Sequence, residues 1–449
     1  MSIWANIVKR FKAPALPLPT REYDLNYFNQ LLSVLRLYFN QLDNLLGEIV
    51  AAQPVNVQFY GSALDAFGRA RFSQPFTLFD SQNRYAKNDD FDEALTGSGT
   101  VTYVTNESTV ELNTTTASGD KVIRQTKRSF SYQPGKSLLT FNTFVMSAAQ
   151  PDLRMRVGYF NDQNGVFFDR SGSTLYFVRR TYVSGAAVDT PVAQIDWNGD
   201  KLDGTGDSGL TLDVTKAQIL WQDFEWLGVG SVRCGFVIDG QVIICHTFQN
   251  ANNLTSVYMT TAILPLRYEV ENVGSIASNA KLKQICSTVI SEGGYEKKVN
   301  LNVARMTTAN TGVTTSFIPL VSIRLASGRT GAVVLPDGYS ALCSGTNGEF
   351  EIALFKNATL TGASFVTSDS ANVEQDISAT AMTGGTMIRN TYTSSGAQVD
   401  GSVDSPENYN WDLQIGATIG GTSDIYTLAV RTLSSTHSAI GSLSFWDLT

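Results

Sequence analysis

The sequence predicts a mainly β protein: one N-terminal amphipathic helix, then an antiparallel β-sandwich, then a second, C-terminal β-sandwich. Three observations predict this. Only Asp24 to Val50 holds a helical spacing of apolar residues with no proline inside it. From about residue 55 onward, short runs of β-branched and aromatic residues alternate with turn-forming dipeptides, and no second helix of similar strength follows. A polar, glycine-bearing stretch, Ser287–Lys298, then divides the β region. The expected organisation is an extended arm over 1–23, the helix over 24–50, a sandwich over 55–290 and a C-terminal β domain over 300–449.

Composition bounds the rest. Of 449 residues, 43% are hydrophobic and only 16% charged, so the chain buries substantial cores and is not mainly disordered. The net charge of −8 lacks the basic stripe that tracks phosphates, and the only mild basic excess is Lys9, Arg10 and Lys12; nucleic acid is not an expected partner. No apolar run reaches about 18 residues, so no membrane span is expected. The start, Met1 to Lys12, shows no secretory pattern, so assembly in a cytoplasm is the expectation.

Residues 13–19, Ala-Pro-Ala-Leu-Pro-Leu-Pro, favour an extended, unpaired arm. Asp24 then offers an N-cap. Phe28, Leu31, Leu35, Tyr38, Leu42, Leu45 and Ile49 follow at spacings of three and four, a heptad seam of about three repeats. Leu25, Leu32, Phe39 and Leu46 add a second column beside it. A stripe that wide suits a trimer or larger bundle better than a two-stranded seam. Packing of the helix on its own body is the alternative, and self-association is preferred because the sequence offers no second helix to pair with.

In the β region, Asn164-Gly165, Asn198-Gly199 and Asp239-Gly240 suit tight turns that need positive φ. A two-residue turn at Asp239-Gly240 sets Cys234 directly opposite Cys245 in a hydrogen-bonded pair. Side chains there lie too far apart for a disulfide, so buried free thiols are expected. The stretch Thr361–Pro406, rich in Ser, Thr, Gly and Asn, reads as largely loops.

The run Trp226-Leu-Gly-Val-Gly-Ser-Val-Arg-Cys-Gly-Phe-Val-Ile-Asp-Gly-Gln-Val-Ile-Ile resembles the central hairpin of laminin-G and concanavalin-like jelly rolls. A broader block resembles uncharacterised structural proteins of tailed phages, especially marine ones. Its residues are Ile195-Asp-Trp-Asn-Gly-Asp-Lys-Leu-Asp-Gly-Thr-Gly, Leu210-Thr-Leu-Asp, Pro265-Leu-Arg-Tyr-Glu-Val and the helix Leu31–Ile49. The resemblance spans roughly residues 20–290. It implies a jelly-roll-type sandwich in a virion component (tail fibre, head fibre, decoration protein or adaptor). Together with the wide helix stripe it leads to the expectation of a homo-oligomer, trimer favoured, with other virion proteins as partners and host-surface glycan as a candidate contact.

Candidate chemistry is sparse. Asp223 and Glu225 share one face of a strand, as do Glu269 and Glu271, and paired carboxyls are what glycoside hydrolysis needs. The Glu-x-Asp-x-x-Glu strand of jelly-roll glycosidases is nevertheless absent, because Trp221 and Trp226 stand at its glutamate positions around Asp223. These carboxylates read as solvent-face residues of half-buried strands. His246 and His437 lack a Gly-x-Ser-x-Gly elbow. Asp196, Asn198, Asp200 and Asp207 fall at positions 1, 3, 5 and 12 of an EF-type calcium loop, but Lys201 occupies the glycine position. The expectation is no cofactor, with Ca²⁺ at these four residues as the one metal to test. Trp197, inside the same loop, is the candidate glycan-stacking residue.

Overall fold

The computed structural model describes residues 16–18, 24–51, 74–296, 301–395, 398–402 and 411–449, with side chains described except at 43–51 and 398–402. The chain divides into two compact units, Met1–Phe72 and Ser73–Thr449. Most of the expected arm lies outside the described residues, as do the side chains of Leu45 and Ile49.

The first unit holds helix α1 (Leu25–Ala51). Asp24 starts it as a polar cap should: its Oδ1 accepts the Asn26 N–H at 2.8 Å, and its carbonyl accepts the Phe28 N–H at 3.2 Å. Among the described residues no α1 side chain is buried. Leu31, Leu35, Tyr38 and Leu42 are half-exposed, while Leu25, Leu32, Leu37 and Phe39 are 51 to 63% exposed. No described helix is long and apolar enough to cross a membrane.

The second unit is β throughout. An eight-stranded antiparallel sheet runs in the order Gln241–Phe248, Val232–Ile238, Gln218–Phe224, Ser137–Met146, Ala280–Glu292, Thr109–Thr114 and Thr100–Val104, with Phe76–Gln82 also paired to Ala280–Glu292. Facing it, a seven-stranded sheet runs Val188–Ala193, Thr174–Thr181, Gly165–Ser171, Leu153–Phe160, Leu266–Asn272, Lys121–Thr126 and Phe91–Thr96. Spatial neighbours distant in sequence, such as Ser137–Met146 beside Ala280–Glu292, give the long crossovers of a jelly roll. Period-two alternation builds the core. Phe144, Leu220, Phe236 and Leu282 point in from one sheet, and Met155, Val157, Phe168, Phe177 and Tyr268 from the other. Phe168 meets Phe236 edge-on at 5.3 Å.

The C-terminal sandwich repeats the plan. One sheet joins Leu301–Arg305, His437–Asp447, Val334–Ser344 and Gln398–Ser402, with Asn310–Val313 also on His437–Asp447. The other joins Val366–Thr367, Val373–Asp376, Ile318–Leu325, Ile425–Thr432, Glu349–Lys356 and Thr386–Ser394. Among the described residues no sheet takes strands from both sandwiches. Yet Val333, Leu335 and Trp411 lie in the first sandwich's core cluster, and Trp411 packs on Tyr295 at 4.6 Å and Phe76 at 6.2 Å. Polar ties surround this plug: Arg128 donates to the Trp411 carbonyl, Gln414 to the Ser129 carbonyl, and the Ile419 N–H to Asp92.

Three local expectations fail. Asn198-Gly199 is not a positive-φ turn, since neither residue has positive φ and the Gly199 N–H is drawn to the Cys245 carbonyl. Thr361–Pro406 is not largely loop: it includes the nine-residue strand Thr386–Ser394, whose Thr, Ile and Tyr residues favour extended backbone even at an exposed edge. The Asp239-Gly240 turn forms with both φ positive, but Cys234 faces His246, because a bulge at Cys245 shifts the register. Both thiols are buried and free.

Candidate functional site

The Asp/Asn loop is a structural clamp on the sheet edge at the Gln241–Phe248 strand. The Asn198 side chain accepts the Thr247 N–H at 2.8 Å and donates to the Thr247 carbonyl at 2.9 Å. The Gly199 and Asp200 N–H groups donate to the Cys245 and Ile244 carbonyls at the bulge. Gly199 must be glycine, since a Cβ there would lie 2.4 Å from the Ile244 oxygen. The Asp200 carboxylate, held low despite its burial, accepts the N–H groups of Leu202 and Ser208 at 2.8 and 2.7 Å. Asp196 closes a single 3₁₀ turn, and Asp207, exposed, lines a shallow cavity with Asn198 and Asp200. The calcium spacing therefore does not become a calcium cage: Asn198 and Asp200 spend their oxygens on backbone N–H groups. Among the described residues no three acidic, His or Cys side chains converge as metal ligands. Trp197 is likewise corrected. It is 2% exposed, stacks on Phe177 at 4.6 Å and donates its indole N–H to the Val192 carbonyl, so no sugar ring can reach its face.

The other candidates are also occupied. Asp223 is clamped by Arg233 and Ser137, and Glu225 turns outward to Ser231. His246 packs edge-on against Phe248 at 4.6 Å, and burial pushes its pKa down to about 4. His437 pairs with the Ser435 hydroxyl at 2.9 Å.

The largest concentration of chemistry lies elsewhere, on the outer face of the seven-stranded sheet. The strand Leu-Arg-Met-Arg-Val-Gly-Tyr-Phe (153–160) points Met155, Val157 and Tyr159 inward and Arg154 and Arg156 outward. Its neighbour Leu-Arg-Tyr-Glu-Val-Glu-Asn (266–272) does the same with Arg267, Glu269 and Glu271. Antiparallel register sets Arg156 directly between Glu269 and Asp169, and Arg154 opposite Glu271. Glu269, 1% exposed, is paired with Arg156, with Arg267 at 2.7 Å and with Lys121 at 3.1 Å. Asp169 takes a two-pronged grip from Arg154, Nη2 to Oδ2 at 2.7 Å and Nε to Oδ1 at 3.2 Å. Arg180 grips Asp189 in the same way at 2.7 and 2.9 Å. Arg180 and Arg267 also cover the outward rings of Phe167 and Phe160 at 5.1 and 5.4 Å.

Electrostatics splits the two central carboxyls. Burial opposes ionisation of Glu269, but Arg267, Arg156 and Lys121 outweigh it and hold its pKa at about 2. At Asp169 burial wins over Arg154, and the carboxyl sits above its ordinary range. Beside this face Gln125, Lys127, Asp162, Gln163, Thr330 and Thr418 line a polar cleft of about 240 Å³ between the sandwiches, with Arg267 reaching Asp162 at 2.7 Å. Sequence reasoning picked out Glu269 and Glu271 but placed them toward solvent, and it passed over Arg154, Arg156 and Arg267. The alternating Arg and Glu in two strands was the available signal.

No family model matches the chain, and no curated protein matches it significantly. Among solved structures it is similar to the carbohydrate recognition domain of Emp47p (10% identity, 48% of this chain and 96% of that one, TM-score 0.30). It is also similar to the CBM2 module of the evolved Dit of Lactobacillus casei BL23 phage J-1 (6% identity, 50% and 100%, TM-score 0.34). A third is a Bacillus licheniformis β-glucanase (12% identity, 49% and 99%, TM-score 0.30).

Proposed function

We propose that this chain is a non-enzymatic structural component of a tailed-phage particle. In this reading it assembles through α1 as a homo-oligomer, trimer favoured, alongside other virion proteins, and its sandwiches project outward to contact host-surface glycans. The carrying observation is α1 itself. A helix with Leu25, Leu32, Leu37 and Phe39 more than half exposed leaves apolar surface that association removes from water. The resemblance of the helix and the 195–270 block to tailed-phage structural proteins supports the setting. The polar cleft beside the charged face, with Gln125, Gln163 and the exposed Asp162, supports glycan contact, since planar amide and carboxylate groups match sugar hydroxyls. Many copies acting together let each such contact be weak.

The test is sedimentation of the full chain beside the variant Leu32→Asp/Phe39→Asp. The expected result is an oligomer that becomes monomeric in the variant. Two monomers would remove this reading in favour of an internal adaptor.

A glycan-cleaving reading draws on one observation, the opposite displacement of the Asp169 and Glu269 carboxyls, which is how acid/base pairs are tuned. Against it, guanidinium groups grip both carboxylates, leaving neither poised to move a proton. Cleavage of bacterial polysaccharide, lost on Asp169→Asn, would establish it.

A further inference from the structure

A cleft of about 220 Å³ opens where the loop after Phe130–Ser131, the turn at Trp226, the segment leading into Ile263–Leu264 and Leu448 meet. Backbone pairing sets its frame. Ser131 and Phe130 pair with Ile263 and Leu264, and the Tyr132 N–H donates to the Ala262 carbonyl at 3.1 Å. The Gln133 amide holds Glu296 twice, donating to its carbonyl at 2.6 Å and accepting its N–H at 2.9 Å. Tyr295 is fixed between the Ser131 hydroxyl at 2.5 Å and the Trp411 ring at 4.6 Å. Two donors in the wall are left over. The Tyr132 hydroxyl and the Trp226 indole N–H are buried, and neither finds an acceptor among the described residues. Tyr132 is 8% exposed and meets Trp226 edge-on at 6.3 Å. Buried donors in native folds are nearly always paired, so two orphans in one cleft wall call for an acceptor from outside. Trp226, only half-buried, is the part of the wall free to turn toward one, and such rotamer changes are common on binding.

We propose that this cleft binds the acetamido group of an N-acetylhexosamine, at a site separate from the polar cleft around Asp162. It shares with the function proposed above only the class of ligand, a glycan. The wall selects the group. An acetamido methyl needs apolar surroundings, which the rings and Ile263 and Leu448 provide, and its carbonyl needs donors that have no competing acceptor, which Tyr132 and Trp226 supply. A hexose lacking the acetamido group leaves those donors unpaired. At the rim Thr260 and Thr261 present hydroxyls to the sugar ring. Anionic sugars are a poor fit, because no lysine or arginine lines the cleft and its one charged side chain is the exposed Glu296, paired with Lys136 at 3.7 Å. A proline-rich peptide is the other acceptor-rich ligand that aromatic walls take, but it needs a groove several residues long, and a volume of about 220 Å³ suits one ring with its substituent.

The experiment is saturation-transfer difference NMR on the full chain with free N-acetylglucosamine and N-acetylgalactosamine, beside glucose and galactose. The acetamido methyl is expected to receive the strongest saturation, and the plain hexoses severalfold less. The double variant Tyr132→Phe/Trp226→Phe removes both donors and is expected to weaken binding at least tenfold, with an unchanged circular-dichroism spectrum. Tyr132→Phe alone deletes one oxygen, so its urea midpoint should match or exceed that of the parent. A clear fall would mean that the hydroxyl has a partner in its own chain, and overturns the proposal. Gln163→Ala, in the polar cleft, is expected to leave binding of the acetylated sugars unchanged. Binding lost in Gln163→Ala and kept in the double variant overturns the proposal and favours the polar cleft. Equal signals from acetylated and plain hexoses, no signal from either, or an oligoproline peptide that binds where the sugars do not, overturns it as well. None of these readouts depends on oligomeric state, so a failure of the helix reading leaves them intact.

Discussion

The two outer faces of the first sandwich start from one rule and end in opposite chemistry. Along Leu153–Phe160 and along Gln218–Phe224 alike, every second residue enters the shared core. The residues between them are Arg154 and Arg156 on one sheet, and Ile219, Trp221 and Asp223 on the other. The charged face satisfies itself: Glu269 has three cations and Asp169 a bidentate arginine. The apolar face is satisfied only in part: its side chains shield one another across the strands, yet Val242, Ile219 and Ile244 still meet water. The lesson is that burial alone does not separate structure from interaction. Glu269 is more deeply buried than Val242 although both point away from the core.

The charged face is most vulnerable to mutation at Glu269. Glu269→Gln leaves Arg156 and Arg267 buried without their shared counter-charge and is expected to cost about 3–5 kcal/mol in urea unfolding. An effect below about 1 kcal/mol, the ordinary worth of exposed ion pairs, would mean that water reaches the cluster freely. A smaller effect follows from pH. The Glu269 pKa is depressed from its ordinary 4.5 to about 2, so its stabilisation is complete above the unfolded value and is lost as pH falls through the folded one. Asp169, raised by burial, works in the opposite sense and blunts the loss. The urea midpoint should therefore drop between pH 4.5 and 2, and more steeply in the parent chain than in Glu269→Gln. The smallest stability effect is expected on the other face: Val242→Thr should stay within about 0.5 kcal/mol of the parent. A larger loss there would show that this face serves the fold of the single chain.

Much of the fold was legible. The heptad spacing gave α1, the absence of later helical periodicity gave the sandwiches, and Asp239-Gly240 gave its hairpin. The candidate site was far less so. Asp196, Asn198, Asp200 and Asp207 carry a metal-like spacing, yet the same oxygens serve a backbone clamp, and spacing alone does not reveal which donors reach them. Trp197 read as a platform because its neighbours are polar, while its own ring was drawn beneath Phe177 by the core. The Cys245 bulge was invisible because one extra residue leaves composition and alternation nearly intact. The ion cluster needed strand order: Arg156 meets Glu269 only because residues 113 apart pair in register.

The placement of Trp411, Val333 and Leu335 has a mechanical consequence. Separating the sandwiches would pull an indole out from between Phe76 and Tyr295 and sever Arg128 from its carbonyl. Bending at that joint is therefore resisted by the same forces that resist melting. Heat is expected to take both halves in a single calorimetric transition.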